Sequence, residues 1–266
     1  MNELALGAGL EISRIGLGTL RIANAGLDRG RDVLRRAVAL GTNLIDTADA
    51  YGEGAIEQLI ASALHPYPDG VVIATKGGQV LVDGEPRPDC RPEHLRAACE
   101  ASLRRLRLDR IDLYQLHNPD PAVPLEDSLG ALAELRAEGK IRSFGVSNLY
   151  GPAWPTALSA GAISLQNNYS VGERGSQAEL DRCERDRVAF LAYFPLAAGA
   201  FARDKGALGS VAAAHGATPA QIALAWLLHS ASVTVPIPCT TSIEHLEQNI
   251  RAAEIVLSSE DLELLG

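Results

Sequence analysis

Apolar positions divide the chain into short runs and longer amphipathic stretches that alternate almost from end to end. Eight short runs, many of them β-branched, read as strands: Arg14–Gly18, Thr42–Asp46, Val71–Thr75, Ile111–Leu116, Ser143–Ser147, Ile163–Asn167, Val188–Tyr193 and Val233–Pro236. Each is nearly continuous in apolar character, as parallel strands covered on both faces require. The intervening stretches carry a helical period. DRGRDVLRRAVALG sets Val33, Leu34, Ala37, Val38 and Leu40 against Arg31, Asp32, Arg35 and Arg36, and Gly41 supplies a stop. RPEHLRAACEASLRRL opens with a proline near its first turn and lines up Leu95, Ala98, Cys99 and Leu103. LEDSLGALAELRAEGK repeats the pattern with Leu125, Leu129, Leu132 and Leu135, ending at Gly139. EGAIEQLIASAL, QAELDRCERD, TPAQIALAWLL and SIEHLEQNIRAA complete the helical set.

Repeated strand–helix units predict a parallel sheet. Eight of them in 266 residues predict an α/β fold, a closed (β/α)8 TIM barrel spanning 1–266 as a single domain, since such a barrel needs about 250 residues. The competing arrangement is an open doubly wound sheet carrying a dinucleotide fingerprint. GAGLEI, from Gly7 to Ile12, lacks the third glycine and precedes the first strong strand, and no other GxGxxG occurs. The start, ELALGAGLEIS, predicts a short N-terminal β-hairpin around Gly7-Ala8-Gly9, outside the barrel and placed to plug its N-terminal mouth. No linker, low-complexity tract or charge block marks a second domain.

Composition narrows the partners. A hydrophobic share of 47% supports a large core rather than disorder. The net charge of -9 argues against nucleic acid, which wants a basic face. The N-terminus has no basic segment followed by an apolar stretch, and the four cysteines, Cys90, Cys99, Cys183 and Cys239, contain no CxxC pair. A cytoplasmic protein with reduced thiols is the expectation. The longest apolar run, Ile222 to Leu228, is far short of the ~20 residues of a membrane helix, so no membrane partner is expected.

Three runs end in a single reactive side chain. NLIDTADAYG gives Asp46 and Tyr51, VVIATKGG gives Lys76, and IDLYQLHNPD gives His117. Alone, each has an ordinary structural role: a cap, a surface boundary, a partner for loop carbonyls, a loop anchor. Functional groups of a (β/α)8 barrel gather at the C-terminal strand ends, and neighbouring strands lie ~4.8 Å apart, so the four can meet. A free phenol titrates near ~10 and is a weak acid at neutral pH. A nearby ammonium stabilises the phenolate and lowers that value. A buried lysine keeps its charge only beside a carboxylate, which Asp46 supplies to Lys76. The imidazole Nε2 of His117 can donate to a substrate carbonyl. Such a set suits proton donation to a carbonyl oxygen, with the hydride coming from a cofactor.

In these segments the chain resembles the aldo-keto reductases over essentially its whole length. Further matching stretches are IGLGTL, SLRRLRLDRIDLYQLHNPD, FGVSN, LQNNYS, AYFPLAAG and IPCTTSIEHLEQN. The resemblance implies that Tyr51 is the acid, that Lys76 and Asp46 tune it, and that His117 positions the carbonyl. It implies that Ser147, Asn148 and Gln166 hold a nicotinamide carboxamide and that Tyr193 stacks on the ring. Gly18, Thr19 and Leu20 would border cofactor and substrate. Pyrophosphate and adenosine would lie near Pro195, Leu196, Thr240, Thr241, Ser242, His245, Gln248 and Asn249. NADPH is the expected cofactor with NADH left open, because Cys239, Thr241 and His245 stand where many members carry lysine or arginine, while Thr240, Ser242, Arg251 and helix amides remain as anion donors. Gln248 replaces a common glutamate. Asn118 and Phe194 depart from the usual residues after the histidine and the stacking tyrosine. With no long segment following DLELLG, an open, partly apolar pocket is expected. SALHPYPDG and AYFPLAAG resemble the bacterial branch near pyridoxal reductases. A small-molecule carbonyl substrate and a monomer or weak homo-oligomer are expected.

Other functions fare worse. Gly145-Val146-Ser147 begins like a nucleophile elbow, but Leu149 stands where the second glycine belongs. A metallohydrolase using Asp46 and His117 would want an HxH pair, and the six histidines are scattered. A C=N or pyridoxal-type reductase is an enzymatic alternative. A non-catalytic cofactor-sensing barrel would have lost a member of the four.

Overall fold

The structure is a computed structural model and describes residues 3–82 and 84–266. In chain order the elements are β1 (Glu3–Gly7), β2 (Leu10–Ser13), β3 (Leu17–Gly18), α1 (Leu27–Ala39), β4 (Leu44–Asp46), α2 (Ala55–Leu64), β5 (Val72–Gly77), β6 (Gln79–Val82), β7 (Glu85–Pro88), α3 (Pro92–Leu106) and β8 (Ile111–Leu116). There follow α4 (Leu125–Ala137), β9 (Ile141–Ser147), α5 (Ala153–Ser159), β10 (Ser164–Asn168), α6 (Gln177–Asp186), β11 (Ala189–Tyr193), α7 (Ala207–His215), α8 (Pro219–Ser230), β12 (Thr234–Pro236), α9 (Ile243–Arg251) and α10 (Ser259–Leu265).

Eight strands form one parallel sheet in the order β12-β11-β10-β9-β8-β5-β4-β3. Its two edges meet. Gly16 N donates to Pro236 O and Gly18 N to Pro238 O, both at 3.0 Å, so the sheet closes into the (β/α)8 barrel. Closure requires glycine at 18, because a Cβ there would sit 2.6 Å from the backbone oxygen of Ile237. The first predicted strand, Arg14–Gly18, is regular only over Leu17–Gly18 for the same reason: its pairing is divided between two neighbours.

Period two along the strands sorts side chains into two layers. Leu44, Val72, Ala74, Leu113, Ala189, Leu191 and Val235 fill the barrel's lower interior. Ile45, Ile73, Tyr114, Phe144, Leu165 and Phe190 point outward into the larger core beneath the helices. The helices bury matching faces, such as Val33, Leu34 and Ala37 of α1. Helix α8 starts at a capping box between Thr218 and Gln221 and is buried continuously from Ile222 to Leu227. No single helix among the described residues is long and apolar enough to cross a membrane.

The N-terminal hairpin lies where expected. Leu6, Leu10 and Ile12 join the interior cluster from below, and Arg142 at the start of β9 donates to Ala8 O and Gly9 O at 3.0 Å. A second hairpin, β6–β7, follows β5 and was not foreseen. Its strands are largely exposed, and Pro86 and Pro88 broke the strand pattern in sequence.

Candidate active site

Above the apolar layer, the same inward-facing register turns polar. Asp46 follows Leu44, Lys76 follows Val72 and Ala74, and Gln115 and His117 follow Leu113. Lys76 is paired in register with Gln115, and Gln166 with Ser147. Side chains from opposite walls therefore meet at the C-terminal ends.

At the centre is a buried ion pair. Lys76 Nζ lies 2.6 Å from Asp46 Oδ1, with side chains 1% and 3% exposed. Nζ also donates to Thr47 O at 2.9 Å. The other carboxylate oxygen, Oδ2, accepts from Gln166 Nε2 at 2.9 Å and Gln115 Nε2 at 3.2 Å. Burial works against the ammonium, but Asp46, and then Tyr51, outweigh it and hold the Lys76 pKa above its ordinary value.

Tyr51 lies at the rim, its ring centroid 5.4 Å from Lys76 Nζ and 6.0 Å from the ring of His117, edge to face. In sequence, the nearby ammonium alone predicts a lowered phenol pKa. In the folded chain burial dominates and the net direction is upward, with Lys76 the largest opposing influence. His117 is pushed down to about 3 by burial and then by Lys76, so its imidazole is neutral. Its Nδ1 is buried without a partner among the described residues. A proton on Nε2 leaves no buried donor unmet there, so that tautomer is favoured.

The residues expected around a nicotinamide also cluster. Ser147 Oγ donates to Gln166 O at 2.8 Å. Asn148, at φ 56°, donates from Nδ2 to His117 O at 3.0 Å and to Ser147 Oγ at 3.2 Å. Its Oδ1 accepts from the Tyr193 hydroxyl at 2.7 Å. Thr19 Oγ1 donates to Asp46 O at 2.9 Å, tying Gly18 and Thr19 to the same rim, with Leu20 42% exposed beside them. Pro195 is buried and Leu196 half-buried in the loop after β11.

The outer residues are tied among themselves rather than to the central four. Ser242 caps α9 by accepting from His245 N at 3.3 Å, and Thr240 Oγ1 accepts from Ser242 N at 3.1 Å. Thr241 is half-buried, His245 exposed and Asn249 buried. Gln248 Nε2 is committed to Glu244 at 3.3 Å, which leaves its oxygen for an incoming donor. Arg251 pairs with Glu247, which also binds Arg36. Sequence reasoning missed Gln115. The available signal was its place two residues before His117, on the same face of one strand. Among the described residues no group of three His, Cys, Asp or Glu side chains converges as metal ligands would.

The aldo/keto reductase family model matches residues 14–265. The chain belongs to the aldo/keto reductase family. Members of that family are NAD(P)-dependent oxidoreductases, and a barrel with this polar upper layer is in keeping with them. An uncharacterised oxidoreductase of Schizosaccharomyces pombe is 38% identical over 94% of this chain and 84% of its own length. Pyridoxine 4-dehydrogenase of Escherichia coli K12 is 36% identical over 99% and 97%. Among solved structures, an aldo/keto reductase from Klebsiella pneumoniae in complex with NADP and acetate superposes with a TM-score of 0.85 at 32% identity, over 99% of this chain and 94% of that one.

Proposed function

We propose that this barrel, acting as a single domain, reduces an aldehyde or ketone to the alcohol, with Tyr51 as proton donor. The observation that carries the proposal is the buried Lys76–Asp46 pair set beside a phenol and a neutral imidazole at one barrel rim. His117 Nε2–H orients the carbonyl oxygen towards Tyr51. The phenol gives its proton to that oxygen as the carbonyl carbon gains a hydride. Negative charge left on the phenolate is met by Lys76, which Asp46 keeps protonated.

The residues fit a nicotinamide cofactor. Asn148 fixes the edge of Tyr193 through the 2.7 Å hydroxyl bond, so a ring face is held steady for stacking. Gln166 has its Nε2 committed to Asp46, so its oxygen is left to accept from a carboxamide. Ser147 and Asn148 complete that subsite, with Gly18, Thr19 and Leu20 along its border. Pro195, Leu196, Thr240, Thr241, Ser242, His245, Gln248 and Asn249 are proposed for the pyrophosphate and adenosine. NADPH, when bound, supplies the hydride. The NADP complex of the Klebsiella relative supports that choice, with NADH as the comparison. Pyridoxal-type aldehydes are the first substrates to try, given the Escherichia coli relative.

Tyr51→Phe is expected to lower kcat for carbonyl reduction about 1,000-fold while leaving NADPH affinity within about 2-fold. Stopped-flow turnover and fluorescence titration of NADPH measure the two. A Tyr51→Phe enzyme with parental kcat would remove the phenol from the reaction.

A further inference from the structure

Asp46 has two carboxylate oxygens, and Lys76 uses only one. The other is occupied from two directions, by Gln115 on β8 and Gln166 on β10. Gln115 is fully buried between Tyr114 and Leu116 of β8, where an amide is costly unless both ends are bonded. Both are: Nε2 donates to Asp46 Oδ2 at 3.2 Å, and Oε1 accepts from Gln166 Nε2 at 3.4 Å. The three side chains form a closed triangle with one carboxylate at its apex. We propose that Gln115 is a positioning residue for proton transfer: it holds Asp46 as an acceptor for Lys76 and fixes the orientation of the Gln166 amide, and so sets the acidity of Tyr51.

The argument rests on Tyr51 being the acid. Each donor to Oδ2 disperses negative charge and makes Asp46 less basic. Without Gln115 the carboxylate draws the Lys76 proton more strongly. Less positive charge then faces the phenol, and Tyr51 becomes a weaker acid. Other titratable groups around the phenol and the pair are Asp49 in the same loop, His117 after β8, Tyr193 on β11 and Cys239 after β12. None of them bonds Gln115, so its removal acts through Asp46.

Two substitutions separate this role from packing. Gln115→Met keeps the volume and removes both hydrogen bonds. Gln115→Glu keeps the shape but offers Asp46 a second carboxylate until it is protonated. Alcohol oxidation with NADP+ needs the phenolate, so its rate rises with pH through the effective Tyr51 pKa. In Gln115→Met this rise is expected about one pH unit higher, with kcat about 10-fold lower. The phenolate absorbance of the cofactor-free protein, taken against Tyr51→Phe, moves the same way. In Gln115→Glu the loss at neutral pH is deeper and activity recovers towards acid, where a protonated carboxyl can donate as the amide does.

A Gln115→Met profile superimposable on the parent's overturns the proposal. So does a Gln115→Glu enzyme whose loss is the same at every pH, and this second test stands if the methionine variant fails to fold. Tyr51→Phe is the control. If that variant turns over normally, the acid assignment has failed. If it is inactive and the Gln115 profiles do not move, only the role of Gln115 has failed.

Discussion

Two ion pairs, each with a buried carboxylate, stand back to back across strand β5. Thr75 and Lys76 are consecutive, so one faces helix α2 and the other the barrel interior. On the outside, Glu57 Oε2 meets Arg105 Nε at 2.6 Å and Glu57 Oε1 accepts from Thr75 Oγ1 at 2.6 Å. The Glu57 side chain is 0% exposed and Arg105 21%. On the inside, both Asp46 and Lys76 are almost fully buried, yet they sit beside a half-buried phenol and a neutral imidazole. Burial of opposite charges is common to both. What differs is the neighbourhood: the outer pair braces α2, α3 and β5, whereas the inner one faces the phenol and imidazole proposed above to handle the substrate's proton.

Breaking each pair should therefore give opposite phenotypes. Lys76→Met is expected to cut kcat about 1,000-fold or more. Glu57→Ala is expected to cost about 3 kcal/mol of folding stability with kcat changed by no more than about 3-fold. Urea unfolding and steady-state turnover read both variants; equal activity losses would erase the distinction.

Asp49 lies between the pairs and sharpens the contrast. Burial, and then Glu57, raise its carboxyl to about 7, opposed by a backbone hydrogen bond from Ala50 and then by Arg105 and Lys76. Unfolded, it titrates near ~3.9. The unfolded chain therefore loses this proton first, and the associated stability, complete below about pH 4, is lost as pH rises to about 7. Asp49→Asn removes that loss, so its melting temperature relative to the parent should climb between acid and neutral pH. A constant difference would refute the assignment.

The smallest effect belongs to His117. Because its imidazole titrates at about 3, the rate of reduction should show no break near the ordinary histidine value of ~6.5. A break there that disappears in His117→Gln would mean a charged imidazole.

The barrel was legible because hydrophobic period and strand–helix alternation are local properties. Asp46, Lys76 and His117 stand out in the sequence because each ends an apolar run, and Tyr51 because it follows Asp46 in the next loop. Gln115 was not: one amide inside LYQLH resembles a tolerated polar residue until the far wall brings Gln166 and Asp46 to it. The direction of the Tyr51 shift was misjudged for a related reason. The ammonium is visible in sequence, but the burial that outweighs it comes from packing of several strand ends. Hairpin β6–β7 was hidden by its prolines and exposure. At the rim of α9, the family resemblance could single out Gln248 and Arg251 but could not reveal that Glu244 and Glu247 engage them.

The central claim is that Lys76, held by Asp46, governs the acidity of Tyr51. Its most direct measurement is the near-ultraviolet titration of the Tyr51 phenolate, as a difference from Tyr51→Phe, in the parent and in Lys76→Met. The account predicts a midpoint at higher pH in Lys76→Met; an unchanged midpoint, or one at lower pH, would contradict it.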